Sequence, residues 1–246
     1  MADRDAAEIR AVRLSRTARE ERRALLAAYE REVYTPAFPD PEIREDPSYW
    51  LKLLESDPWP APPQPLLDVI LMIDGQNHIL GGVTIELYRR AEVGFLTYIA
   101  VAEAARGGGI GGRLVAAARA WLDEVGGPDI PMLAETERYE DAADDVEREA
   151  TVLRQRRLAG LGAQMVDFDY IMPPLRPDLH PHRLHMMIFG GPDGMSGARV
   201  LGLLEELAHA LGTDLDHFEE TRAMAAALES DPQLALRPLP KGSASA

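Results

Sequence analysis

A glycine-rich run at residues 106–111, Arg-Gly-Gly-Gly-Ile-Gly, has the residue types and spacing of a turn that binds an anion. The run follows a strand-like segment at 95–101 and leads into a helix-like segment at 112–124. Glycine lets the backbone come close to a ligand, and the N–H groups and dipole of a helix N-terminus attract negative charge. We therefore predict that this turn binds an anionic group, most commonly a phosphate.

Two common phosphate-binding loops fit the run poorly. A P-loop needs a lysine and then a serine or threonine after its last glycine, but arginine and leucine follow Gly112. The dinucleotide fingerprint Gly-x-Gly-x-x-Gly is present as Gly107, Gly109 and Gly112. Its first glycine should lie almost at the end of the strand, whereas residues 102–106 intervene here. A nucleotide-dependent dehydrogenase and an ordinary strand–helix turn are the weaker alternatives.

The run resembles the acyl-CoA signature of the GNAT acetyltransferase superfamily. That signature reads Gln/Arg-x-x-Gly-x-Gly/Ala, after a strand that ends in valine and a short link. Arg106, Gly109 and Gly111 occupy its fixed positions, and Ile110 and Leu114 match its usual apolar positions. The resemblance implies that the bound anion is the pyrophosphate of coenzyme A.

Hydrophobic periodicity predicts the element order β, α, α, β, β, β, α, β, α, β, β ahead of residue 190. The GNAT fold has the same order. The resemblance covers about residues 7–190 and implies an α/β, GNAT-like acyl-CoA N-acyltransferase fold, in which helices flank a central mixed, mostly antiparallel sheet. We predict an acetyltransferase domain at 1–190, a helical C-terminal extension at 191–240 and a disordered tail at 241–246.

Local patterns predict several single elements. The apolar runs at 66–73 and 78–88 flank Asp-Gly-Gln-Asn, which is typical of a β-hairpin. Residues 163–172 read as one strand. In the extension, we predict helices at 197–211 and 214–229, and we expect them to pack on the core or to form a homodimer contact.

The resemblance implies direct transfer of an acetyl group from acetyl-CoA to an amine, without a covalent enzyme intermediate. The lack of cysteine agrees with this, because no thiol nucleophile is present. Backbone N–H groups of the turn would hold the pyrophosphate, aided by Arg106. Backbone groups at the end of the preceding strand would pair with the pantetheine arm and polarise the thioester carbonyl. The predicted coenzyme-binding residues are Ile99, Ala100, Val101, Arg106, Gly107, Gly108, Gly109, Ile110, Gly111 and Gly112.

The reacting amine must first lose a proton. For an amine with a pKa of about 10.4, this costs roughly 4–5 kcal/mol at neutral pH, and a carboxylate that acts through water is the usual base. Glu86 and Glu135, each near a strand end, are the predicted bases. In the family, a tyrosine often protonates the leaving thiolate, but Leu158 stands at that position here. Tyr170 is therefore the third predicted catalytic residue, with Tyr139 or solvent as alternatives.

Composition limits the class of protein. The 246 residues suggest one large domain or a domain with an appendage, and a hydrophobic content of 46% is ample for a core. A net charge of −15 argues against nucleic acid as a partner. The absence of long apolar runs argues against a membrane span, and the charged N-terminus is unlike a signal peptide. We expect a cytoplasmic protein without disulfides. His180, His182 and His185 read as a polar loop, so we predict no metal site.

These observations together predict an N-acetyltransferase with acetyl-CoA as cosubstrate. Its acceptor would be a small-molecule or peptide amine, and a polyamine, an amino acid, an antibiotic amine and a protein N-terminus all remain open. The missing tyrosine motivates an alternative, a non-catalytic acyl-CoA-binding or interaction module on the same fold.

Overall fold

The computed structural model describes residues 9–176, 179–190 and 194–239, and the chain divides into two compact units. The first unit comprises Leu66–Leu87, Leu96–Val125 and the described part of Met1–Pro60. The second comprises Ala61–Pro65, Tyr88–Phe95 and the described residues from Gly126 onward. The predicted tail at 241–246 lies outside the described residues, as does the charged N-terminus, and the predicted domain boundary at residue 190 stays a prediction.

Strands β1 to β4 supply the sheet of the first unit: β1 (Arg10–Arg13), β2 (Leu66–Ile73), β3 (Ile79–Tyr88) and β4 (Val93–Val101). The first three residues of β4 group with the second unit. β1 pairs with β2 and β2 with β3, both antiparallel, so the predicted hairpin is confirmed. Every β2 residue except Leu66 is buried, which is why this strand reads as a continuous apolar run.

The described part of the first unit contains four helices: α1 (Arg19–Tyr29), α2 (Thr35–Ala37), α3 (Pro47–Leu54) and α4 (Ile110–Val125). A π-helical turn at Glu30–Tyr34 connects α1 to α2. α3 begins where the side chain of Asp46 accepts the Ser48 N–H at 2.8 Å, with Pro47 as its first residue. α4 packs through one stripe of buried side chains, which comprises Ile110, Leu114, Ala118, Trp121 and Leu122.

Among the described residues of the second unit, six strands follow: β5 (Met132–Glu137), β6 (Ala163–Val166), β7 (Tyr170–Met172), β8 (His182–Phe189), β9 (Gly194–Met195) and β10 (Leu234–Pro238). β8 lies between β5 and β6, and β7 also pairs with β8. The prediction of one strand at 163–172 is wrong. Met165 lies opposite Met187 and Tyr170 opposite Leu184, so the chain uses two more residues than β8 does and bulges at 167–169.

Within its described ranges, the second unit also contains three helices: α5 (Asp145–Gly160), α6 (Gly197–Ala210) and α7 (Glu219–Ser230). α7 begins five residues after the predicted position 214, because residues 215–218 form a turn and a bend in which the Leu215 carbonyl accepts a hydrogen bond from the Thr221 hydroxyl at 2.6 Å. The extension also contains β10, which pairs with β6 and was not predicted. Helices flanking an antiparallel sheet confirm the predicted α/β class. Within the described ranges, none of the helices has the length and apolar character that a membrane crossing needs.

Candidate functional site

The glycine-rich turn joins β4 to α4, where the sequence predicted it. β4 ends at Val101, a single 3-10 turn covers Glu103–Ala105, and α4 begins at Ile110. Gly107 and Gly109 have φ angles of 81° and 75°, which only glycine adopts without strain. Among the described residues, no atom lies within 4 Å of the point where a Cβ on either glycine would be. These glycines therefore allow the shape of the turn and also leave open space in front of its backbone.

The turn presents N–H groups at the start of a long helix. The first helical bond is donated by Arg113 N–H to Gly109 O at 3.2 Å, so the N–H groups of residues 110–112 precede it and have no partner inside the helix. Gly108 N–H donates a long bond of 3.4 Å to Ala105 O. α4 has 16 residues, so its dipole adds a positive potential at this end. The exposed Arg106 adds a full positive charge, and the turn is thus suited to an anionic group.

A cavity of about 490 Å³ lies beside the turn. Arg106, Gly108 and Ile110 line it, together with Asp74 and His78 from the β2–β3 turn. Asp74 and His78 are joined by a contact of 3.0 Å between Oδ2 and Nδ1. The volume of the cavity lies within the range of small-molecule sites, so three of the predicted coenzyme-binding residues, Arg106, Gly108 and Ile110, border a space that can hold part of a ligand.

The end of β4 is partly accessible. Ile99 and Val101 are half-buried, whereas Ala100 between them is 5% exposed. This alternation is that of a strand with one face on the core. Backbone groups at this end of β4 are the predicted partners of the pantetheine arm.

Glu86 is a buried carboxylate in β3. It is 1% exposed, and it accepts a hydrogen bond of 3.1 Å from the Thr97 hydroxyl on β4. Burial, and then the negative charges of Glu86 and Glu45, raise the pKa of Tyr49 on α3. The carboxylates of Glu86 and Glu45 therefore lie close enough to Tyr49 for their charges to affect its pKa. A buried carboxylate with polar neighbours is a candidate proton acceptor.

Glu45 lies against an aromatic cluster in the first unit. Trp50 Nε1 donates to its carboxylate at 2.6 Å, and the Tyr34 hydroxyl donates to its carbonyl at 3.1 Å. Its own N–H donates to the Tyr98 hydroxyl at 3.0 Å. Burial raises the pKa of Glu45, and the bond from Trp50 acts against this rise. The sequence held no signal for Glu45, which lies in an irregular loop.

Tyr170 and Glu135 come together in the second unit. The Tyr170 hydroxyl donates to Glu135 Oε2 at 2.8 Å, because β7 and β5 both pair with β8. Burial, followed by the negative charge of Glu135, raises the pKa of Tyr170 well above 10. A thiol has a pKa near 8.5, so proton transfer from this phenol to a thiolate is uphill. The geometry favours a role for Tyr170 in orienting Glu135.

The remaining candidates lie in other surroundings. Tyr139 is half-buried in a 3-10 turn, where the charge of Glu140 raises its pKa. Leu158, at the position of the family tyrosine, is 8% exposed and packs in α5. Burial lowers the pKa of His185. In the part of the chain that the structure describes, no group of three or more His, Cys, Asp or Glu residues is placed to hold a metal ion.

Residues 25–146 match the model of the acetyltransferase (GNAT) family. The match includes the glycine-rich turn, Glu86 and Glu135. A comparison with curated protein sequences gave no match.

A comparison with solved structures gave several partial matches. A Bacteroides thetaiotaomicron protein described as a GNAT-family acetyltransferase is 18% identical with a TM-score of 0.49, and the alignment covers 76% of this chain and 88% of that one. GCN5 from Tetrahymena is 13% identical with a TM-score of 0.45, and the alignment covers 74% of this chain and 98% of that one. A Bacillus anthracis protein described as a streptothricin acetyltransferase and solved with acetyl-CoA is 17% identical with a TM-score of 0.36. The alignment covers 51% of this chain and 63% of that one. The family match carries the assignment: the chain contains a GNAT-family acetyltransferase domain at residues 25–146, on the GNAT-like α/β fold that its sequence predicts.

Proposed function

We propose that this protein transfers an acetyl group from acetyl-CoA directly to the nitrogen of an amine. The observation that carries the proposal is the turn before α4. Gly107 and Gly109 both have a left-handed backbone conformation with open space in front of them. They lie at the positive end of a 16-residue helix. A pyrophosphate fits such a turn because backbone N–H groups can reach it and no side chain blocks the approach.

Each predicted binding residue has a proposed part in holding the coenzyme. Backbone N–H groups of residues 107–112 hold the pyrophosphate, and Arg106 adds charge. The backbone of Ile99, Ala100 and Val101 pairs with the pantetheine arm in the manner of an added strand. Acetyl-CoA supplies the thioester carbonyl and the thiolate leaving group.

Glu86 is the proposed base, acting on the amine through a water molecule. The amine nitrogen forms a bond to the carbonyl carbon, the bond between that carbon and sulfur breaks, and the electron pair leaves with the thiolate. The amine proton passes to the carboxylate and from there to solvent or the thiolate. Glu86 belongs to the same unit as the glycine-rich turn, and its bond from Thr97 holds one oxygen in place.

Glu135 is the second proposed base. The Tyr170 hydroxyl fixes the orientation of its carboxylate through the 2.8 Å bond. A Tyr170→Phe variant separates the two candidates, because it should alter the pH profile of kcat only if Glu135 is the base.

Turnover with a panel of amines tests the proposed reaction. The panel contains a polyamine, an amino acid, an aminoglycoside and a peptide with a free N-terminus, and the readout is free CoA thiol. The protein has no cysteine, so a thiol reagent reports only the released coenzyme. We expect release above the enzyme-free rate with at least one amine. Tight binding of acetyl-CoA without any turnover would instead support the non-catalytic module, which Leu158 in place of the family tyrosine favours.

Thermal unfolding tests the coenzyme separately. A ligand at one hundred times its Kd stabilises a protein by about 2.7 kcal/mol. We expect a rise in Tm with acetyl-CoA and none with NAD, and the opposite result would favour a dehydrogenase. The cytoplasmic location and the homodimer contact stay predictions.

A further inference from the structure

An open groove of about 600 Å³ lies in the second unit, and none of the residues proposed above for the reaction lines it. One wall is α7. The other is formed by the bulge between β6 and β7, which contributes Phe168, together with Ile171 of β7 and Arg183 of β8. The groove has the size of a small-molecule site.

α7 presents one continuous stripe to this groove. Its lining residues recur every three or four positions, which places them on a single face of the helix. The stripe begins at Glu219 and ends at Asp231, just after the last turn. The helix has 12 residues, so the groove is about 18 Å long at 1.5 Å per residue.

The middle of the groove is apolar. Ala223 and Ala227 are exposed on the helix side, above Met224 and Leu228, which are 5% and 2% exposed. Phe168 is half-buried on the opposite wall. This strip leaves hydrocarbon in contact with water along the centre of the groove, and an apolar chain could cover it.

Both ends of the groove are acidic. At one end, α7 begins with Glu219 and Glu220, and at the other it is followed by Asp231. No ion pair joins any of these three carboxylates to another described residue. On the opposite wall, Asp167 is paired with Arg237, and Asp169 is paired with Arg138 and with Arg183, the one cation among the described lining residues. Asp231 also faces the negative end of the helix dipole, where a cation is favoured, whereas Glu219 and Glu220 lie at the positive end, which offsets part of their negative charge.

We propose that this groove binds an elongated organic dication, with an apolar chain along the floor and an ammonium group at each end. A neutral apolar molecule would cover the floor but would desolvate the end carboxylates without pairing them. A short polyamine would pair the carboxylates of only one end at a time and would leave the floor in water. The proposal goes beyond the acetyl transfer and does not depend on it.

Methyl NMR of the full chain, labelled at the methionine methyl groups and kept free of acetyl-CoA, tests this site. Met224 lies in the floor, where its sulfur accepts the Ile171 N–H at 3.1 Å, and a Met224→Leu variant assigns its signal. The probe is 1,10-diaminodecane, whose extended chain is comparable in length to the groove. We expect a saturable shift of the Met224 signal.

Two ligands test the two halves of the proposal. 1,10-Decanediol keeps the chain without the charges, and 1,4-diaminobutane keeps the charges without the length. We expect each to bind at least tenfold more weakly than the diamine. A diol that binds as tightly would show that the carboxylates take no part. A short diamine that binds as tightly would show that the apolar floor takes no part. Either result, or the lack of a saturable shift with 1,10-diaminodecane, would overturn the proposal.

Matched variants locate the binding. The double variant Glu219→Gln, Glu220→Gln should bind the diamine three- to tenfold more weakly than the wild type. Glu229→Gln, on the same helix but outside the groove, should bind it unchanged. Ala227→Phe should fill the floor and abolish the shift, whereas the exposed neighbour Ala226→Phe should not. Equal affinity for the double variant and for Glu229→Gln would refute the site, and so would a shift that survives Ala227→Phe.

Discussion

Replacement of Gly109 by alanine tests the glycine-rich turn most directly. Gly109 is exposed, with a φ of 75°, and the left-handed conformation costs an L-residue roughly 1–2 kcal/mol. For a chain of this size, each kcal/mol lowers Tm by about 2–4 °C. We therefore expect Gly109→Ala to lower Tm by about 2–8 °C through strain alone.

Gly212 provides a matched control. It is exposed, has a φ of 79°, and lies in the second unit after α6. As at Gly109, a Cβ would have no described atom within 4 Å. Gly212→Ala should therefore carry the same backbone strain and lower Tm by a similar amount, without touching the turn.

Coenzyme binding separates the two variants. At Gly109, the new methyl group enters the space through which the phosphate would approach the N–H groups of the turn. Loss of one hydrogen bond to a charged group costs about 1.5–3 kcal/mol, which corresponds to roughly 10- to 150-fold weaker binding. Calorimetric titration with CoA, well below both Tm values, should show this loss for Gly109→Ala and unchanged affinity for Gly212→Ala.

Two results would contradict this reasoning. If Gly109→Ala binds CoA as the wild type does while its Tm falls like that of Gly212→Ala, the phosphate is not held at this turn. If both variants lose affinity equally, the loss comes from general destabilisation. Circular dichroism at the titration temperature checks that both variants are folded.

Three further predictions concern single side chains. Glu86→Gln should lower kcat by about 10²- to 10⁴-fold, the usual contribution of a general base, with an unchanged Kd for acetyl-CoA; unchanged kcat would clear Glu86 of that role. Glu206 is 4% exposed and accepts two 3.1 Å hydrogen bonds from the backbone N–H groups of residues 90–91. In urea unfolding, Glu206→Ala should therefore lower the free energy of unfolding by about 2–4 kcal/mol, whereas Glu205→Ala, at an exposed position, should leave it almost unchanged. Burial lowers the pKa of His185, so its contribution to stability is present above the unfolded pKa of about 6.5 and is lost as pH falls through its folded pKa. Tm should therefore fall less between pH 7.5 and 5 for His185→Gln than for wild type. An equal fall of Tm in both proteins would disprove the lowered pKa of His185.

The glycine-rich turn could be predicted because its signals are local. Glycines mark the positions with positive φ, a β-rich run precedes them and an amphipathic run follows, and all of this lies within residues 95–125. Backbone preferences act over a few residues, so no distant contact had to be known. The hairpin of β2 and β3 was predictable for the same reason.

The strand breaks could not be predicted in this way. Residues 163–172 are apolar enough for one strand, but pairing with β8 on a shifted register divides them. β10 is short and ends in a proline, and only its pairing with β6 and β9 makes it a strand. Strand pairing depends on a partner far along the chain, and the periodicity of a single segment does not contain it.

The sequence by itself determined which chemical groups are present and how the turn before α4 is shaped, because φ preferences and helix starts are properties of neighbouring residues. Only the tertiary structure decided that Tyr170 donates to Glu135, that Thr97 donates to Glu86 and that Glu45 lies against Trp50. It also decided that α7 and the β6–β7 bulge enclose a groove. These contacts join residues through strand register and helix packing, which are set by the burial of the whole core and not by any one segment.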